Sequence, residues 1–145
     1  MRRAPLSLLL PLLFLLGIIT ASVAGAFTML RLPMPLAASL EELLKVLVLY
    51  AFFRLDSTLI TGFRSAVSGL SLGIGFGIAE LLNYLVFNFY HGLSFFSVRA
   101  PPLLMHVITA TLLGYSLYLG RKNKLWLLAG FASAVGIHLA FNYSV

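Results

Sequence analysis

Glu41-Glu42-Leu43-Leu44-Lys45-Val46-Leu47-Val48-Leu49-Tyr50 sets three ionisable side chains at the start of an otherwise apolar run. Such groups are costly inside a bilayer, and chains keep them mainly for ion pathways, proton relays, ligand sites or catalysis. Three more apolar segments repeat the pattern, with Glu80 and Asn83, with His106, and with His138 and Asn142. The fold expected from these stretches is a bundle of membrane helices that turns its polar groups inward.

The composition agrees. Of 145 residues, 61% are hydrophobic and only 10% charged, and the mean hydropathy is +1.03. A soluble domain carries roughly 25% charged residues. The fold class is therefore all-α, a polytopic bundle of about five transmembrane helices, forming a single transmembrane domain over residues 1–145. Hydropathy places the spans near 6–27, 37–54, 66–89, 100–120 and 124–144, each near the length that crosses about 30 Å of hydrocarbon. Pro33 and Pro35 precede the second span, and Pro101 and Pro102 are expected at the head of the fourth, where a missing N–H costs little. Gly69, Gly73 and Gly77 make a small-xxx-small face on the third, read as ordinary helix packing.

The net charge of +6 does not point to nucleic acid, because the basic residues are scattered at segment ends without an aromatic-interleaved stripe. They report topology instead. With a cytoplasmic N-terminus, Arg2, Arg3, Arg54, Arg64, Arg121, Lys122 and Lys124 lie inside, and only Arg31 and Arg99 lie outside. The chain has no cysteine, which excludes disulfides, thiolate nucleophiles and cysteine metal ligands. Residues 1–27 read as a first transmembrane helix, with a signal peptide as the alternative, and no chemical role is expected for them. The catalytic core is expected at 37–144. The aromatic-rich connection from Asn88 to Ser97 reads as an interfacial anchor, and His91 within it as solvated.

The polar groups fall at one depth. Helical rise places Glu41 and Glu42 just below the outer end of the second span, and Glu80 in the outer half of the third. His106 lies near the outer end of the fourth, and His138 and Asn142 in the outer half of the fifth. Glu41 with Lys45, Phe76 with Glu80, and His138 with Asn142 are each i,i+4 and share a face. Glu42 either joins that site or supports it from behind. Taken singly, each residue also has a bland explanation as an interhelical ion pair, a backbone-bonded His or amide glue. Their matched depth favours a common site.

Glu41-Glu42-x-x-Lys45, Phe76-x-x-x-Glu80, His106 and His138-x-x-x-Asn142 together resemble the PrsW family of intramembrane proteases. The wider group includes type II CAAX prenyl endopeptidases and bacteriocin-processing membrane proteins. Glu80 stands where that group has a central His, and Leu81 and Leu82 separate it from Asn83. The resemblance spans about residues 40–143. It implies an integral protein of the cell membrane, with its site in the outer half, that hydrolyses membrane-anchored, anti-sigma-factor-like substrates.

Peptide hydrolysis needs an activated water, an oxyanion partner and a proton for the leaving amine. Glu41 is the expected base, oriented by Glu42 and Lys45, and Asn142 the oxyanion donor. In one version Glu80, His106 and His138 hold Zn²⁺. In a metal-free version Glu41 with Glu80 or His106 holds the water, and His138 and Asn142 stabilise the oxyanion. The same cluster would also serve a small ion or proton transporter, or a non-catalytic membrane scaffold. The transporter fits less well, since there is no internal repeat and no polar ladder toward the cytoplasmic side.

Overall fold

The computed structural model describes residues 5–28, 31–57, 60–87 and 94–144. Five helices follow one another, α1 (Leu6–Thr28), α2 (Met34–Leu55), α3 (Gly62–Phe87), α4 (Ser94–Gly120) and α5 (Lys124–Ser144). There is no strand among the described residues. The expected all-helical fold is found. α1, α3, α4 and α5 are long and apolar enough to cross a bilayer, and a helix satisfies its backbone groups within the segment as hydrocarbon demands. α2, with 22 residues, is also about 33 Å long. It carries Glu41, Glu42, Lys45 and Arg54, which lower its apolarity.

α2 and α3 begin a few residues before the expected positions. Pro33 caps α2, and Pro35 sits in its first turn. The larger departure is α4, which starts at Ser94 and so encloses Pro101 and Pro102 rather than beginning with them. A proline inside a helix removes a backbone donor, but in membrane spans neighbouring helices and polar side chains can satisfy the groups it frees. Residues 94–97 of the expected interfacial connection are therefore helical. The rest of that connection, including His91, lies outside the described residues.

α3 is the central element, packed between α1 and α4, while α5 lies against α4 and α2 closes on α1, α4 and α5. Two glycine faces make this possible. On one, a Cβ at Gly69 would strike the Ala110 carbonyl, one at Gly73 the His106 carbonyl, and one at Gly77 the backbone of Leu103. The small-residue face is thus the α3–α4 seam. On the other, a Cβ at Gly75 would strike the Phe14 carbonyl of α1, and one at Gly17 the Leu72 carbonyl of α3. Ser71 Oγ donates to the Leu10 carbonyl at 2.7 Å across the same contact. Residues 6–28 are therefore built into the bundle.

Apolar packing divides accordingly. Leu13, Leu49, Phe52, Phe53, Leu72, Leu113, Leu117 and Ala134 form the main core. Ala21, Ala24, Phe76 and Ala79 form a smaller one on the α1–α3 side of the polar groups. Gly73→Leu should drive a side chain into the backbone of α4, and overpacking of this kind costs about 1–3 kcal/mol or more. A clear fall in melting temperature in detergent is expected, whereas Gly136→Ala, with nothing within 4 Å of the added Cβ, should melt like the wild type.

Candidate active site

Lys45 is fully buried. An ammonium has three N–H donors and no acceptor, and each donor here has a partner. These are Glu42 Oε1 at 2.7 Å, His106 Nδ1 at 2.8 Å and Thr109 Oγ1 at 3.2 Å. The aromatic ring of Phe76 lies 4.5 Å from Nζ and adds a cation–π contact. Lys45 therefore ties α2 to α3 and α4 at one point.

The Lys45 contact fixes the proton on His106, and Glu42 fixes the one on the near nitrogen of His138. His106 Nδ1 must accept from the ammonium, so its proton sits on Nε2 and is donated to Glu80 Oε2 at 2.5 Å. His138 Nδ1 lies 2.8 Å from Glu42 Oε1, an acceptor, so Nδ1 carries the proton there. His138 Nε2 faces Glu41 Oε2 at 3.7 Å. The two imidazoles meet edge to face, with centroids 5.2 Å apart, and Phe76 packs on His106 with centroids 4.5 Å apart.

Glu42 is the hub of the network. Its Oε1 accepts from Lys45 and His138, and from Thr109 Oγ1 at 3.3 Å, while Oε2 is buried without a partner among the described residues. Glu41, the preceding residue, points elsewhere. With Glu80 it borders a cavity of about 470 Å³ between α1, α2 and α3. The i,i+4 pairing expected between Glu41 and Lys45 is not formed, because Lys45 pairs with Glu42 at i,i+3. That choice releases Glu41 to face the cavity and places Glu42 behind His138.

Glu41, Glu42, Lys45, Glu80, His106 and His138, named from four separate segments, thus come together. Glu41, His106 and His138 each offer one ligand atom, all within 4.8 Å of one another. Glu80 is held to His106 instead of completing that group. Asn142 lies half-buried one turn beyond His138 and does not line the cavity. Thr109 was not foreseen. Its signal in the sequence was only that it follows His106 by one helical turn, and threonines in apolar helices commonly bond their own backbone, as Thr111 does to Val107.

Removing one partner of a buried ion pair leaves an uncompensated charge, which costs about 3–5 kcal/mol. Lys45→Met and Glu42→Gln should each lower stability strongly, and the double variant should be more stable than the sum of the two losses predicts. Unfolding in mixed detergent micelles checks this, and simple additivity would contradict the described pairing.

The family model of the PrsW family intramembrane metalloprotease matches residues 5–145. No curated protein and no solved structure matches the chain. The match covers nearly the whole chain, and the paired glutamates, Glu80, His106 and His138 converge among helices that can span a membrane: the chain belongs to the PrsW family of intramembrane metalloproteases.

Proposed function

We propose that this protein is an endopeptidase that cuts membrane-anchored protein substrates within the outer half of the bilayer. The observation that carries the reading is the meeting of Glu41, Glu80, His106 and His138, from four helices, with Glu41 and Glu80 lining one cavity. Glu41 lies seven residues into α2, Glu80 seven before the end of α3, and His138 six before the end of α5. Those counts correspond to about 9–11 Å below the helix ends. With the N-terminus cytoplasmic, as the basic residues favour, these are the outer ends.

A carboxylate and two imidazoles within reach of one another are a donor set suited to zinc. The residues that would hold the ion are Glu41, His106 and His138, with Glu42 orienting His138 from behind as carboxylates commonly do for metal-binding histidines. The chemistry such an ion supplies when bound is Lewis acidity and a more acidic water. Glu80 is then the base. An imidazole binds a metal through an unprotonated nitrogen. For His106 to hold the ion through Nε2, Lys45 would give a proton to Nδ1 and the Nε2 proton would leave to water, freeing the Glu80 carboxylate to act as base. Glu80 also faces the cavity, where it can receive a proton from water and return it to the leaving amine. This arrangement exchanges the roles of Glu41 and Glu80 relative to the sequence-based expectation.

The contact between the Lys45 ammonium and His106 Nδ1 favours a second reading. There the ammonium supplies the positive charge between the carboxylates, and Glu80 and His106 act on water as a hydrogen-bonded pair without zinc.

Metal content by elemental analysis, with cleavage of a membrane-anchored reporter, separates the versions. About one zinc per chain is expected in the wild type, lost in Glu41→Gln, His106→Ala and His138→Ala. Glu80→Gln should keep zinc and lose about 10²–10⁴-fold in rate, the usual share of a general base. Zinc lost in Glu80→Gln but kept in Glu41→Gln would restore the roles expected from sequence. A metal-free preparation that still cleaves would establish the second reading.

A further inference from the structure

The cavity beside Glu41 and Glu80 is walled on its far side by α1, through Ala21, Ser22, Ala24, Gly25 and Ala26. Its volume is about 470 Å³. One helical turn with side chains, 10–12 Å wide and 5.4 Å tall, fills roughly 420–610 Å³. The space is comparable to about one turn of helix. It can take a short extended stretch.

An extended stretch brings N–H and C=O groups with no partners of their own, and each costs several kcal/mol if left unpaired away from water. The lining must answer them. Ser22 Oγ already donates to the Ile18 carbonyl at 3.0 Å, and Glu80 is engaged by His106. Ionised carboxylates can only accept. Asn83 differs, because its primary amide offers two donors and an acceptor, the complement of a peptide group. It stands one turn after Glu80 on α3 and lines the cavity. Its Nδ2 lies 4.0 Å from where a Cβ on Gly25 would begin, so the amide faces α1 across the gap.

We propose that the cavity between α1, α2 and α3 holds an unwound, extended segment of the substrate, and that the Asn83 amide binds its backbone, with α1 as the opposing wall. This rests on the protease reading and adds to it a residue that binds the substrate backbone. It also gives α1 a part in recognition. Asn83 is exposed to the cavity and not packed in a core, so its replacement tests binding more than folding.

The experiment uses full-length protein in liposomes and a set of single-span reporter proteins, each with ten varied residues at the outer end of the span. The reporter cleaved best by the wild type becomes the probe. Loss of a hydrogen bond to a buried partner costs about 1–3 kcal/mol, so Asn83→Leu should lower kcat/KM by about 10–100-fold. Asn83→Gln should recover part of the loss, and zinc content and melting temperature should stay at wild-type values. Gly25→Leu, which fills the gap, should impair reporters with bulky residues at the cut site more than glycine-rich ones. Wild-type kinetics in Asn83→Leu would overturn the assignment of Asn83, and equal loss for all reporters in Gly25→Leu would overturn the role of the wall. A wild-type protein that cleaves no reporter while Glu80→Gln behaves identically would overturn the protease reading, and this inference with it.

Discussion

The buried ammonium of Lys45 is the constraint on which the site depends. A charge removed from water must be paired and fully hydrogen-bonded or it destabilises the fold. Lys45 has three donors and three acceptors, from α2 itself and from two residues of α4. The geometry that satisfies it also turns the His106 Nε2 proton toward Glu80, and the Glu42 oxygen it pairs with accepts from His138 Nδ1. Structural pairing and chemical readiness are the same set of contacts.

Close approach of backbones makes those contacts reachable. Without side chains at Gly69, Gly73 and Gly77, α4 settles onto α3 until the His106 carbonyl lies against Gly73, which brings the imidazole to Glu80. On the opposite side Gly75 and Gly17 admit α1, so α3 is held from both directions. Lipid tails are as apolar as the side chains they would replace, so packing and interhelical hydrogen bonds, rather than hydrophobic burial, select this arrangement. α1 thereby becomes a wall of the cavity, a part its apolar sequence does not announce.

The four-helix origin of the site was legible because ionisable residues in apolar runs are few and their depth follows from helical rise. Glu42 as hub, Thr109 as a third partner and Asn83 on the cavity were not legible. Each depends on rotation about a helix axis, and the difference between i,i+3 and i,i+4 pairing is a rotation of about 100°. Glu41 and Glu42 are adjacent and chemically alike, so no reading of α2 alone could say which meets Lys45. α4 shows the same limit, since the double proline marks a helix start in isolation and a helix interior once neighbours are present.

The sequence by itself determined that the chain is helical and made for a membrane, that its polar groups recur on four apolar segments, and which family it resembles. These follow from composition and from spacing along the chain, which are one-dimensional. Tertiary structure alone decided which carboxylate groups with the two histidines, which one supports them, and which face of α1 closes the cavity. Those outcomes turn on distances of a few ångströms between residues as far as 96 positions apart, set by how closely the helix backbones approach.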